Sequence, residues 1–214
     1  SLWVAAWIMG GFWFAQNYFS ETWMARGSAD SGRMIHGGEW WRMLTALTLH
    51  GDLSHFAANL MVGLLFVSFL IRQWGSGPAW LATVVSGAAG NALNAWVYRD
   101  ERHLSIGAST AVFGALGLLV GGEFARRLSS PHTRQRWQLI LPIGAGLGLL
   151  AFLGAGDERK QIDIMAHLWG FVAGLVIGAA GTTAGKRASP LIQRAAAAAA
   201  LLLLALAWWR AMAR

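Results

Sequence analysis

Seven apolar stretches alternate with polar connections along this chain, at about residues 2–19, 52–71, 78–98, 105–125, 137–154, 163–181 and 195–210. A helix needs roughly 20 apolar residues to cross the hydrocarbon of a bilayer. Unpaired backbone groups cannot be left in lipid, so each stretch is predicted as a helix. The expected fold class is therefore all-α, a polytopic membrane helix bundle. Charge agrees: 13% of the residues are charged, against about 25% in a soluble domain. Residues 2–19 lack a basic leader and a small-x-small cleavage site, so they read as a span and not as a signal peptide.

Composition removes several function classes. The chain has no cysteine, which excludes disulfides, thiol nucleophiles and thiolate metal sites. Its net charge of +7 comes largely from lysines and arginines flanking the apolar spans. That pattern fits membrane topology and lipid headgroups, and no nucleic-acid partner is expected. The 13 tryptophans suit interfacial belts, notably Trp40, Trp41, Trp208 and Trp209, and the 27 glycines suit helices that approach closely.

Two connections stand out. Gly75-Ser76-Gly77-Pro78 predicts a tight turn between the second and third spans. Residues 20–49 are long, mixed and rich in Trp, Arg, His and Gly, and read as a structured loop lying partly in the membrane interface. Orientation follows from the basic residues. Arg126, Arg127, Arg134 and Arg136 in one connection, and Lys186, Arg187 and Arg194 in another, gather with no acid among them. These connections are placed in the cytoplasm by the positive-inside rule, although the raw Lys/Arg count of the two sides is almost tied.

Four polar residues of the even-numbered spans share one end. His55 and Asn59 open the second span, Ser109 the fourth and His167 the sixth. Even-numbered spans run in the same direction, so these groups are expected at one depth, on the outer side. With Ser109 and His167 each about five residues into a span, both should lie roughly 6–8 Å below the surface. A serine hydroxyl becomes a nucleophile when a base takes its proton, and His167 is the candidate base. His55 and Asn59, four residues apart, share a helix face and offer N–H donors of the kind that stabilise an oxyanion. Blander readings exist for each. Ser109 can be a small residue at a helix contact, His167 can make an interhelical hydrogen bond, and His55 with Asn59 can form a polar stripe that glues helices. A metal held by His50, His55 and His167 lacks a completing carboxylate, so no metal is expected. Gly170, Gly174 and Gly178 on the sixth span, and Gly107, Gly114 and Gly117 on the fourth, would let two backbones approach around Ser109 and His167.

Taken together, these motifs resemble the rhomboid family of intramembrane serine proteases. Gly38-Glu39-Trp40-Trp41-Arg42, Leu49-His50 and His55-Phe56-Ala57-Ala58-Asn59 resemble its first loop and HxxxN motif. Gly107-Ala108-Ser109 resembles its nucleophile motif, and Ala166-His167 with Gly170 and Gly174 its catalytic-histidine helix. The likeness covers about residues 2–181. One departure is Thr110, where the family usually has glycine after the serine.

The resemblance implies a six-helix catalytic core over residues 1–181, a cytoplasmic linker over 182–194, and an additional C-terminal helix over 195–214. It implies a Ser109–His167 dyad with no catalytic aspartate. Its oxyanion hole would be formed by His55, Asn59 and the Ser109 N–H, and Phe113 would pack on the His167 ring. Glu39, Trp41 and Arg42 would shape the first loop, which with the fifth span would govern lateral access of substrate. The function expected is an intramembrane serine endopeptidase. It would cut single-span transmembrane proteins near the outer boundary of a bacterial inner membrane, with no cofactor. The rivals are a non-proteolytic adaptor that binds transmembrane segments, and a transporter. Against the transporter, no inverted repeat is visible and the polar groups gather at one side.

Overall fold

The computed structural model describes residues 2–130, 137–154, 163–181 and 188–213. In chain order these form α1 (Leu2–Gly27), strand β1 (Ala29–Asp30), short helices α2 (Ser31–Ile35) and α3 (Arg42–Thr45), and a 3-10 turn at Ala46–Thr48. Then come α4 (Leu53–Trp74), α5 (Ser76–Val97), strand β2 (Leu104–Ser105), α6 (Ser109–Leu128), α7 (Trp137–Gly154), α8 (Ile164–Gly181) and α9 (Pro190–Met212). The protein is a polytopic membrane helix bundle. Helices α4, α8 and α9 are long and apolar enough by themselves to cross a bilayer. Large apolar side chains such as Trp3, Trp7, Met61, Phe152 and Val176 stand exposed, as a lipid-facing surface requires.

The helices begin and end where local chemistry dictates. Helix α1 runs eight residues past the expected end of the first span and stops at Gly27, where a Cβ would meet Trp208 Cη2 at 2.6 Å and Leu49 Cδ1 at 3.0 Å. The α4–α5 turn is a single residue, Gly75 at φ +84°. Helix α6 starts at Ser109, four residues later than expected. Gly107 at φ +126° lies outside helical space, and Leu104–Ser105 pair instead with Ala29–Asp30 as antiparallel strands. Ser109 is therefore the first residue of its helix and His167 the fourth of its own. Helix α9 starts at Pro190, because Ser189 caps it and proline suits a first turn. The basic residues Arg134, Arg136, Lys186 and Arg187, and residues 182–187 of the expected linker, lie outside the described residues.

Helix α6 is the centre of the bundle, packed most closely against α8 and flanked by α4, α5 and α7. Small residues make the α6–α8 seam. A Cβ on Gly170 would strike the Thr110 carbonyl, one on Gly174 the Gly114 carbonyl, and one on Gly178 the Leu118 carbonyl. Gly117 and Gly121 answer from α6 against Phe171 and Leu175. Gly107, expected in this seam, is not on the helix and lies against His55 instead. A core of Val67, Leu70, Phe113, Leu116, Leu118 and Phe171 fills the space beneath.

A second cluster joins the first loop to α9: Trp41, Leu44, Leu49, Ala207, Trp208 and Ala211. The indole N–H of Trp208 donates to Thr48 Oγ1 at 3.0 Å, and Arg26 donates to the Met212 carbonyl at 2.8 Å. At the other end of α9, Gln193 donates to the Trp74 carbonyl and accepts from the Gly77 N–H, both at 2.9 Å. The expectation of interfacial tryptophans divides here. Trp40 and Trp209 are exposed, whereas Trp41 and Trp208 are buried inside the protein and hold the first loop.

Candidate active site

The first loop is a rigid platform. Arg42 is buried, and its three nitrogens donate to Glu39 Oε2 (2.6 Å), the Ser28 carbonyl (2.8 Å) and the Ala25 carbonyl (3.1 Å). Trp41 packs in the cluster under the loop, with the Arg210 guanidinium 5.3 Å from its ring centroid. Three links fasten this platform to the segment before α6: the β1–β2 pairing, the Gly107 N–H to the Ala46 carbonyl (2.9 Å), and the Ser31 hydroxyl to the Glu101 carbonyl (2.7 Å).

That segment delivers Ser109. Its hydroxyl lies 2.8 Å from His167 Nε2. The His167 ring is buried and packs on Phe113, with centroids 4.6 Å apart. Among the described residues, His167 Nδ1 is enclosed without a hydrogen-bond partner. Thr110 is buried in a helical turn, and its methyl fills the recess between Gly90 and Gly170. The β-branched residue that departs from the family pattern thus sits on two glycine faces, in backbone space it tolerates.

His55 and Asn59 approach from α4. Asp52 caps that helix, its Oδ1 accepting the His55 N–H at 2.8 Å. The His55 ring lies over Gly107. A Cβ there would be 2.9 Å from His55 Nε2 and 3.3 Å from Ser109 Oγ, so only glycine leaves room beside the hydroxyl. Asn59 is buried, and among the described residues its Nδ2 has no partner. A buried amide N–H without an acceptor is costly, and it is the condition expected of a donor reserved for a transient ligand.

Three groups that sequence reasoning left without a role also meet here. His50 is completely buried, and its Nε2 accepts the Ala108 N–H at 3.4 Å, directly before Ser109. Gln16 on α1 brackets the His50 backbone, accepting its N–H at 2.8 Å and donating to its carbonyl at 2.5 Å. Burial first, and the neighbouring His55 second, push the His50 imidazole down to about 4. Asp163 caps α8 through the Ala166 N–H (3.0 Å) and receives Asn94 Nδ2 and His103 Nε2. A polar residue opening an apolar span was the only sequence signal for Asp163; its partners are 60 and 69 residues away.

Comparison with known proteins gives a consistent family. The family model for the Rhomboid domain matches residues 37–183. RHOMBOID-like protein 4 of Arabidopsis thaliana is 32% identical over 161 residues, covering 74% of this chain and 38% of the relative. The putative rhomboid protease YdcA of Bacillus subtilis is 29% identical over 145 residues, covering 67% of this chain and 68% of the relative. Rhomboid protease GluP of the same bacterium is 30% identical over 163 residues, covering 75% of this chain and 30% of the relative. The chain thus spans well under half the length of two of these relatives and about two thirds of the third.

Proposed function

The chain belongs to the rhomboid family, and from that premise we propose that it is an intramembrane serine endopeptidase. It acts on single-span transmembrane proteins near the outer boundary of a bacterial inner membrane. Two of its relatives are named as rhomboid proteases. The observation that carries the serine assignment is the 2.8 Å approach of Ser109 Oγ to His167 Nε2 within a membrane bundle.

The chemistry follows from the positions. His167 Nε2 takes the hydroxyl proton as Ser109 Oγ attacks the scissile carbonyl. The carbonyl oxygen becomes anionic, and the Asn59 amide, the His55 ring and the Ser109 N–H donate to it. His167 returns the proton to the departing amine, leaving an acyl-enzyme. Water entering from the outer side then attacks the ester, with His167 again as base. Residues 1–181 form the catalytic core, α9 buttresses the first loop, and that loop with α7 governs lateral access.

The test is direct. Purified protein is incubated with a panel of single-span substrates and, separately, with a fluorophosphonate probe. Wild type cleaves and is labelled; Ser109→Ala does neither while unfolding like wild type. Wild-type cleavage by the alanine variant would remove Ser109 as nucleophile.

A further inference from the structure

His167 has an orientation problem. Among the described residues nothing accepts from or donates to its Nδ1, so no third side chain fixes the ring through a hydrogen bond. The Phe113 contact restrains one face only. The geometry of the pair therefore rests on where the backbone of α8 begins relative to the segment before Ser109.

One carboxylate joins those two backbones. Asp163 stands one turn ahead of His167, and its own carbonyl accepts the His167 N–H at 3.2 Å. Its Oδ1 accepts the Ala166 N–H at 3.0 Å. Its Oδ2 accepts from Asn94 Nδ2 at 2.8 Å, on the last turn of α5, and from His103 Nε2 at 2.7 Å. His103 directly precedes β2, six residues ahead of Ser109. It is held in turn. Its N–H donates to Ser31 Oγ at 2.9 Å, its carbonyl accepts the Ser31 N–H at 3.0 Å, and its ring stacks on Tyr98 at 4.1 Å. The Asp163 side chain is 14% exposed and the His103 side chain 28%, so the bond is sheltered from water.

We propose that Asp163 is a positioning residue: with His103 and Asn94 it locks the start of α8 to the segment that delivers Ser109, and so sets the separation of Ser109 and His167. The inference rests on the protease reading for its kinetic consequences. It uses no proton transfer by Asp163, which touches neither the hydroxyl nor the substrate.

The experiment uses the whole chain in detergent or bicelles, with four variants. Asp163→Asn keeps the helix cap, since asparagine caps well, but turns a donor toward His103 and Asn94. His103→Ala and Asn94→Ala each remove one donor. His103→Gln keeps an N–H near Asp163. Three readouts are taken: kcat and KM for a single-span substrate, the fluorophosphonate labelling rate, and the His167 ring signals in protein labelled with 15N-histidine. Those signals are assigned with a His167→Gln variant, and folded fraction is measured in parallel. Asp163→Asn and His103→Ala should lower kcat and labelling on the order of 10²-fold, the scale of an ångström misplacement, with KM unchanged and the His167 signals shifted. His103→Gln should restore most of the rate and the wild-type signals. Unchanged kcat and signals in Asp163→Asn and His103→Ala would overturn the inference, as would losses that merely follow the folded fraction. If wild type itself neither cleaves nor labels, the protease reading falls, and the His167 signals still decide whether Asp163 positions the ring.

Discussion

Gly170 offers a sharp way to perturb the candidate pair without touching either member. It lies one turn beyond His167, and its Cα faces Thr110, the residue after Ser109. A Cβ on Gly170 would overlap the Thr110 carbonyl oxygen and sit 3.0 Å from both Thr110 C and Thr110 Cγ2. Relaxed carbon contacts fall at about 3.5–4.0 Å. The obstacle is mostly backbone, and Gly90 closes the other side with its own Cβ position 2.6 Å from the Gly170 nitrogen. Gly170→Ala must therefore part α6 and α8 by roughly 1 Å at this level. Added to a 2.8 Å separation of Ser109 Oγ and His167 Nε2, that exceeds hydrogen-bond range. Cleavage should fall on the order of 10²-fold, with a stability loss of about 1–3 kcal/mol typical of overpacking. Gly148→Ala on α7 is the control, because a Cβ there meets nothing within 4 Å. Initial rates on a single-span reporter and detergent unfolding curves would be compared for the two. A Gly170→Ala chain that cleaves and unfolds like wild type would refute the seam argument, as would equal losses in Gly148→Ala.

Three further outcomes are expected. Asn59→Ala should lower turnover by about 10²-fold, the scale of one oxyanion donor, with substrate binding kept; full activity in the folded fraction would make Asn59 structural glue. His50 takes a proton near 6.5 when unfolded and near 4 when folded. Its contribution is therefore complete above pH 6.5 and lost as pH falls from 6.5 to 4, a difference of about 3 kcal/mol. Unfolding midpoints measured across that window should drop in wild type and less in His50→Gln; equal drops would dismiss His50 as the acid-sensitive group. The native sequence has no cysteine, so single cysteines at Gly51 and Arg102 should react with an impermeant maleimide outside intact cells, and one at Ser130 only after permeabilisation. The reverse pattern would invert the proposed orientation.

What could be read in advance follows from the range of the interactions. Hydropathy is local, so the helices were legible, as was the grouping of Ser109, His167, His55 and Asn59 at one end. The start of α6 was not, because it depends on Gly107 leaving helical space and on a two-residue strand pairing with Ala29–Asp30. The burial of Trp41 and Trp208 could not be told from interfacial placement, since an amphipathic ring suits either. Thr110 looked like an awkward departure until Gly90 and Gly170 were seen on either side of its methyl. Asp163 was invisible as a link because its partners on α5 and before β2 are brought to it only by the fold.

The bond from Trp208 to Thr48 spans 160 residues of sequence. Ribosomes add about 5–20 residues per second, so the first loop waits roughly 10–30 s during synthesis for the indole that holds it. Over that interval His55, Asn59 and Ser109 emerge while their platform lacks this support. Chain order thus works as a timer, and a nascent chain stalled before Trp208 would be inserted yet without its finished platform.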